Sequence, residues 1–365
     1  MGADEYGGEP MNKLVCQNQK RMQDVDFAKG FAAFAVVIGH LVKYERTVFD
    51  WFFGFHMPFF FLLCGYMQKE KLPDFSKFIA KKFKRLLIPS WIYRLYVSLV
   101  GIMLLDEISL SLKEILTNVF WNATLEWFLP VMFLVSIGMY LYVLLYNRVA
   151  NKQIFAIGSL LFISAMVLCC RLYPFHDTHY LPFKLDSAAA AFAFAIIGFG
   201  IKKAEVPSVC LDFYHSISKK SGRMLFLAGL LAAYTGLALV NSLARGVNMA
   251  DSTVGSSEVT YYVVGSLMFV VLMFVGQLLN SSDNILVRWL RLLGRHSMMI
   301  YLVHGPINRI IIEIVDRCID DQLNLAPMVN LNVMWIGVFF VTSMTILTGI
   351  CLLIEWSSSF KKRKT

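Results

Sequence analysis

The chain has 365 residues, 57% of them hydrophobic and 16% charged, with a net charge of +9 at pH 7. A soluble globular domain is usually about 45–50% apolar and about 25% charged, so a mean hydropathy of +0.60 excludes an ordinary soluble enzyme and points to a polytopic membrane protein. The basic surplus is not a nucleic-acid footprint, because no aromatic stacking platform or basic groove motif lies outside the apolar runs.

Ten spans are predicted, at about 27–42, 48–67, 86–105, 119–146, 154–171, 186–201, 224–241, 260–279, 289–304 and 333–354. The loops on the N-terminal side of this alternation hold 23 Lys and Arg residues, and the opposite loops hold 8. By the positive-inside rule both termini are cytoplasmic, and the basic surplus meets anionic lipid. The expected fold is an all-α membrane protein, a polytopic bundle of about ten transmembrane helices. A polar tail (1–22) precedes one transmembrane domain (23–356), and a basic tail (357–365) follows it. The first 25 residues are polar, and no cleavable signal peptide is expected. The seven cysteines show no metal spacing, so neither a disulfide framework nor a thiolate metal site is expected.

Span one begins VDFAKGFAAFAVVIGH at 25–40. Lys29 and His40 are 11 residues apart, which puts them within about 20° of one helix face and about 16 Å apart along the axis. Asp26, three residues before Lys29, can neighbour it and partly neutralise it. Ionisable groups inside a spanning helix cost about 2.5–3.5 kcal/mol each on insertion scales and usually face a bundle interior or a wet cavity. Asp26, Lys29, His40 and, in span two, His56 are therefore read as the heart of a site. Span two carries FHMPFFFLLCGY at 55–66, where Met57-Pro58 predicts a kink beside a cavity; a plain packing kink is the alternative.

The loop QKEKLPDFSKFIAKKFKR at 68–85 reads as an amphipathic surface helix. Phe75, Phe78, Ile79 and Phe83 lie on one side and lysines on the other. It either holds a phosphate-rich ligand or anchors to lipid, and Lys84 and Arg85 end it. Arg94 in span three either snorkels to headgroups or lines an anion site. In span four, Glu126 and Trp127 sit near the outer end, where Trp is expected of an interfacial belt. Glu126 is read as a binder of a polar acceptor, or else as an interface residue. The outer loop RLYPFHDTHYLPFKLD at 171–186 offers His176, Asp177, His179, Tyr180 and Asp186. Zinc would need three or four fixed ligands, so no metal is expected there. Asp186 stands at the mouth of span six. The loop 202–222 reads as polar and basic, and the loop 241–259 as a mobile Ser/Gly-rich connection. Span nine places Arg295, His296 and Ser297 low and Tyr301 and His304 high. Any one of His40, His56 and His304 is explained as a satisfied buried imidazole; the three at one depth point to a site.

These pieces, with KRLLIPSW at 84–91, LEWFLPVMF at 125–133, LPFKLDSAAAAFAFAIIGFG at 181–200 and LGRHSMMIYLVH at 293–304, resemble the acyltransferase-3 integral membrane family, most closely its fucose 4-O-acetylase-like branch. The resemblance runs from about 20 to 355. The family's motif of a basic residue, ten residues and a histidine falls on Lys29 and His40, with Lys where Arg is more usual. Its SGY-type triplet appears as Cys64-Gly65-Tyr66.

The resemblance implies transfer of an acyl group, usually acetyl, from cytoplasmic acetyl-CoA or another acyl-CoA to a hydroxyl of a sugar or cell-surface glycan precursor. His40 would be general base or acylated intermediate, supported by Asp26 and Glu126. Lys29, Lys84, Arg85, Arg94 and Tyr66 would bind the donor. His56, Trp127, Asp186, Tyr301 and His304 would bind the acceptor or orient the imidazole. The implied setting is the bacterial inner membrane, with the donor, the acceptor and lipids as partners and no nucleic acid; the sequence leaves the oligomeric state open. Two other classes stay open: a transporter or flippase of a polar or lipid-linked molecule, and a membrane-structural or sensory protein.

Overall fold

The computed structural model describes residues 11–41, 46–105, 112–122, 126–172, 184–243, 246–251, 253–318 and 333–363, nearly all of them helical. Helix α1 (Met11–Leu41) is followed by α2 (Arg46–Phe53) and α3 (His56–Tyr66). Helix α4 (Phe75–Lys82) runs through a π-helical turn, Phe83–Leu87, into α5 (Ile88–Leu105). The short α6 (Leu112–Thr117) and a second π turn, Asn118–Asn122, precede α7 (Phe128–Tyr146), α8 (Lys152–Leu172), α9 (Leu185–Lys203), α10 (Val206–Ser216) and α11 (Lys220–Ser242). An antiparallel ribbon of β1 (Val247–Asn248) and β2 (Thr253–Val254) closes around a 3-10 turn. Then come α12 (Glu258–Leu278), α13 (Ile285–Arg295), α14 (Ser297–Cys318) and α15 (Val333–Arg363).

Among the described residues five helices are long and apolar enough to cross a membrane: Thr47–Tyr66, Phe128–Tyr146, Lys220–Ser242, Glu258–Leu278 and Trp335–Ser359. Ser187–Lys203 with Val206–Ser216, bent by 49°, makes a sixth if taken as one span. Helix α1 falls outside this set because its apolar stretch carries Asp24, Asp26 and Lys29. The protein is an integral membrane protein, and its described membrane part is helical.

Several expected boundaries are corrected. Span two is interrupted at Gly54-Phe55, ahead of Pro58. Pro58 has no N–H for the carbonyl of Gly54, four residues back, and its ring crowds that carbonyl, so the interruption falls where the Met57-Pro58 kink is expected. Span nine, expected at 289–304, divides at His296: α13 ends at Arg295, and α14 starts at Ser297 and runs on to Cys318. Glu126 and Trp127 stand just before α7, not within a span beginning at 119. The stretch 202–222 holds α10, which starts with Pro207 in its first turn. The stretch 241–259 is not a loose loop, since Val247 and Met249 in the ribbon are 1% and 2% exposed. Helix α1 starts at Met11 and α15 continues to Arg363, so both terminal tails are helical where they are described.

Two close helix crossings set the frame. An added Cβ at Gly65 would lie 1.7 Å from the Ala195 carbonyl oxygen, and one at Gly198 would lie 2.0 Å from that of Leu62. Helices α3 and α9 thus approach backbone to backbone from both sides. Helices α1 and α13 repeat the pattern, with Gly30 at 1.8 Å from the Leu290 carbonyl and Gly294 at 1.8 Å from that of Asp26. In lipid, where apolar side chains gain little by leaving a tail environment, small residues at such crossings drive association through close packing. The main core gathers Ala28, Ala32 and Ala35 of α1, Phe59 and Phe61 of α3, Val135 of α7, Phe194 of α9 and Phe269 of α12. A second cluster joins the opposite face of α1 (Phe27, Ala33, Val37) to Leu293, Ile300 and Leu347.

Candidate active site

Helix α1 carries its polar groups at two levels, as its spacing requires. At the lower level Lys29 Nζ lies 2.7 Å from Asp26 Oδ1, one turn away, and both side chains are partly buried. At the upper level His40 is exposed, one residue before the helix ends. Its ring centroid lies 4.9 Å from that of His304 on α14 and 6.5 Å from that of His56 on α3. Three imidazoles from three helices therefore meet. Phe53 closes one side, 5.5 Å from His40 and 4.4 Å from His56.

The buried pair have fixed tautomers. His56 Nδ1 lies 2.7 Å from the Phe52 carbonyl oxygen, one turn back. His304 Nδ1 lies 2.7 Å from the Tyr301 carbonyl and 3.1 Å from that of Ile300. A carbonyl oxygen only accepts, so in both residues Nδ1 must carry the proton and donate it. The neutral rings then present Nε2 as a bare acceptor. His56 is 0% exposed, and its Nε2 has no hydrogen-bond partner among the described residues.

Beside the histidines lies a second polar node. Glu126 is 3% exposed and its carboxylate is fully engaged. Its Oε2 accepts from Ser90 Oγ at 2.5 Å. Its Oε1 accepts from the Leu129 N–H at 2.7 Å and from the Tyr301 hydroxyl at 3.2 Å. The Leu129 bond caps the start of α7, where backbone N–H groups lack helical partners and the helix dipole favours a negative charge. Arg94 Nη2 stands 3.8 Å from Glu126 Oε2, while Nη1 donates to the Val119 carbonyl at 2.7 Å. Arg94 is 0% exposed. It therefore does not snorkel to headgroups; it lies in the bundle interior with the Glu126 carboxylate beside it. Tyr301 links the two groups: its ring lies 6.0 Å from that of His304, and its hydroxyl reaches Glu126.

Other expected site residues are placed apart or lie outside the described set. Lys84 and Arg85 are exposed on the π turn ahead of α5. Tyr66 is half-buried at the end of α3, with its ring 5.6 Å from that of Phe269. Trp127 packs 6.2 Å from Phe61 and 6.3 Å from Phe128. His176, Asp177, His179 and Tyr180 lie outside the described residues, as does the side chain of Asp186. Among the described residues no group of three or more His, Cys, Asp and Glu is arranged to hold a metal. Sequence reading missed Ser90. The signal was available as a hydroxyl directly after Pro89 in an apolar run, but its carboxylate partner is 36 residues away.

The Acyltransferase domain model of the acyltransferase 3 family matches residues 22–354. The chain belongs to the acyltransferase 3 family. It is thus a membrane acyltransferase, and the matched region contains all of α2 to α14 together with the upper part of α1 and most of α15. No curated protein and no solved structure matches the chain.

Proposed function

We propose that this acyltransferase moves an acyl group, acetyl in the first instance, from a cytoplasmic acyl-CoA to a hydroxyl of a sugar or glycan precursor. The observation that carries the reading is the meeting of three imidazoles from α1, α3 and α14, with rings 4.9 and 6.5 Å from that of the exposed His40. Imidazole titrates near working pH and suits general base catalysis of acyl transfer. The acceptor hydroxyl gives its proton to His40 while its oxygen attacks the thioester carbonyl carbon. The carbon–sulfur bond then breaks, and the His40 proton passes to the CoA sulfur. An ester and free CoA thiol result, and His40 is neutral again.

Lys29, steadied by Asp26, is assigned with Lys84 and Arg85 to the nucleotide phosphates, and Tyr66 to the pantetheine path. The separation of Lys29 and His40, about 16 Å along one helix, is of the order such an arm must bridge. Glu126, held by Ser90 and Arg94, positions Tyr301 and His304 beside the reacting atoms. Trp127 and Asp186 are assigned to the acceptor with His56. The proposed setting is a bundle of about ten spans with both termini cytoplasmic, in a bacterial plasma membrane, on the fucose 4-O-acetylase-like branch of the family.

Purified protein supplied with radiolabelled acetyl-CoA tests this. Release of CoA thiol, and its abolition in His40→Ala at an unchanged helical spectrum, is the expected outcome. A wild-type protein that turns over no thioester, or a His40→Ala variant as active as wild type, contradicts the assignment.

A further inference from the structure

His56 is the one imidazole of the three whose proton-accepting nitrogen is both buried and unpartnered among the described residues. Its Nδ1–H is committed to the Phe52 carbonyl at 2.7 Å, so the ring cannot turn over to use Nε2 as a donor without breaking that bond. The edge of the Phe53 ring and the start of α3 fix it further. A buried acceptor left without a donor is unfavourable, and the Phe53 ring, its centroid 4.4 Å from that of His56, offers none. What satisfies Nε2 must bring an O–H or N–H of its own. The neighbouring ring, 6.5 Å away, is that of His40.

We propose that His56 Nε2 reads a second hydroxyl of the acceptor, next to the one that His40 deprotonates, and so makes the enzyme selective for polyhydroxylated acceptors over simple alcohols. The inference rests on the acyl-transfer reading above and adds a specificity determinant to it. The fixed Nε2 of His56 and the base nitrogen of His40, on rings 6.5 Å apart, match two neighbouring hydroxyls on one carbon framework. An acceptor with only one hydroxyl leaves Nε2 unpaired on binding. A site built to hydrogen-bond a hydroxyl rejects the analogue lacking it far more strongly than an apolar pocket distinguishes a methylene. The fixed tautomer also sets the sign of the preference: Nε2 selects hydrogen-bond donors, and an ether at that position gains nothing.

The test uses full-length protein in lipid nanodiscs, acetyl-CoA as donor, and cis-1,2-cyclohexanediol and cyclohexanol as probes. The readout is the ratio of kcat/KM for the diol to that for the mono-alcohol. Wild type is expected to favour the diol by about ten-fold or more beyond the statistical factor of about two for its extra hydroxyl, the effect of one hydrogen bond to a buried acceptor. In His56→Phe that ratio falls to the statistical value, while His56→Gln, which keeps an oxygen acceptor near the Nε2 position, recovers part of it. The monomethyl ether of the diol behaves as the mono-alcohol does. A merely structural role for His56 lowers both rates together and leaves the ratio unchanged, which overturns the proposal without touching acyl transfer. Selectivity absent from wild type, with water alone satisfying Nε2, also overturns it. A wild type with no thioester turnover at all overturns the acyl-transfer reading, and this inference with it.

Discussion

The two ends of α1 differ in how they are held. At the lower end Asp26, Gly30 and the Asp26–Lys29 pair lie against α13, where carbonyls stand under 2 Å from where a Cβ would be on Gly30 and Gly294. At the upper end His40 is exposed and its ring centroid lies 4.9 to 6.5 Å from those of its neighbours. The lower end is backbone locked on backbone and leaves no room for adjustment. The upper end is a cluster of polarisable rings around groups that can exchange protons. One helix thus ties a rigid anchor to a reactive tip, and a small shift at the anchor is carried along the helix to the imidazole.

The sharpest way to break this contrast is to enlarge a glycine at a crossing. Gly294→Leu and Gly65→Leu are each expected to destabilise by at least about 3 kcal/mol, because backbone carbonyls cannot move aside as side chains do. Loss of monodisperse protein in size-exclusion chromatography and a lowered Tm would register it. Gly158→Ala and Gly236→Ala, with nothing within 4 Å of the new methyl, are the matched controls. They are expected to be neutral or to gain up to about 1 kcal/mol from helix propensity.

At the reactive tip the effect should appear in rate and leave stability nearly untouched. His40→Ala is expected to lower acyl transfer by about 10²–10⁴-fold, the range for a general base, with Tm within a few degrees of wild type. Tyr301→Phe removes one of the three hydrogen bonds that the Glu126 carboxylate accepts, and a fall in kcat of about ten-fold is expected, read from initial rates. The smallest effect belongs to the surface. Glu70 is held below its usual carboxylate range by the hydrogen bond from Lys203 Nζ. A lowered folded-state value means the pair stabilises above the ordinary glutamate range, and that its contribution is lost as pH falls through the folded value. The pair is exposed, so Lys203→Ala should shift stability at neutral pH by less than about 1 kcal/mol in a denaturation curve.

What could be read from the sequence follows from what short-range patterns encode. The common face of Lys29 and His40 is helix geometry, and the shared level of His40, His56 and His304 follows from alternating span direction, so their meeting was accessible. The Asp26–Lys29 pair is a one-turn contact and was equally legible. The partnership of Arg94 with Glu126 joins residues 32 apart, from α5 to the segment just before α7, and nothing local in RLLIPSWIYR announces a carboxylate. The break at His296 falls on the polar Arg295-His296-Ser297, which on sequence alone reads as the inner end of one short span. Gly65 and Gly294 were visible only as letters in motifs, since a glycine signals close approach only once its partner helix is known. Helix α10 did leave a trace: Pro207 at its first turn is a start signal inside a stretch that charge alone made look like a loop.

The most direct measurement is a structure of the protein with a non-hydrolysable acetyl-CoA analogue in which a methylene replaces the thioester sulfur and the acyl carbonyl is kept. The expected result puts the analogue's acyl carbonyl carbon beside the His40 ring, on the side facing His304, at a distance that leaves room for one hydroxyl between them, about 3–3.5 Å from each reacting atom. An acyl carbon seated elsewhere in the bundle, with His40 facing only lipid, would contradict the assignment of the three-imidazole cluster as the place where the acyl group changes hands.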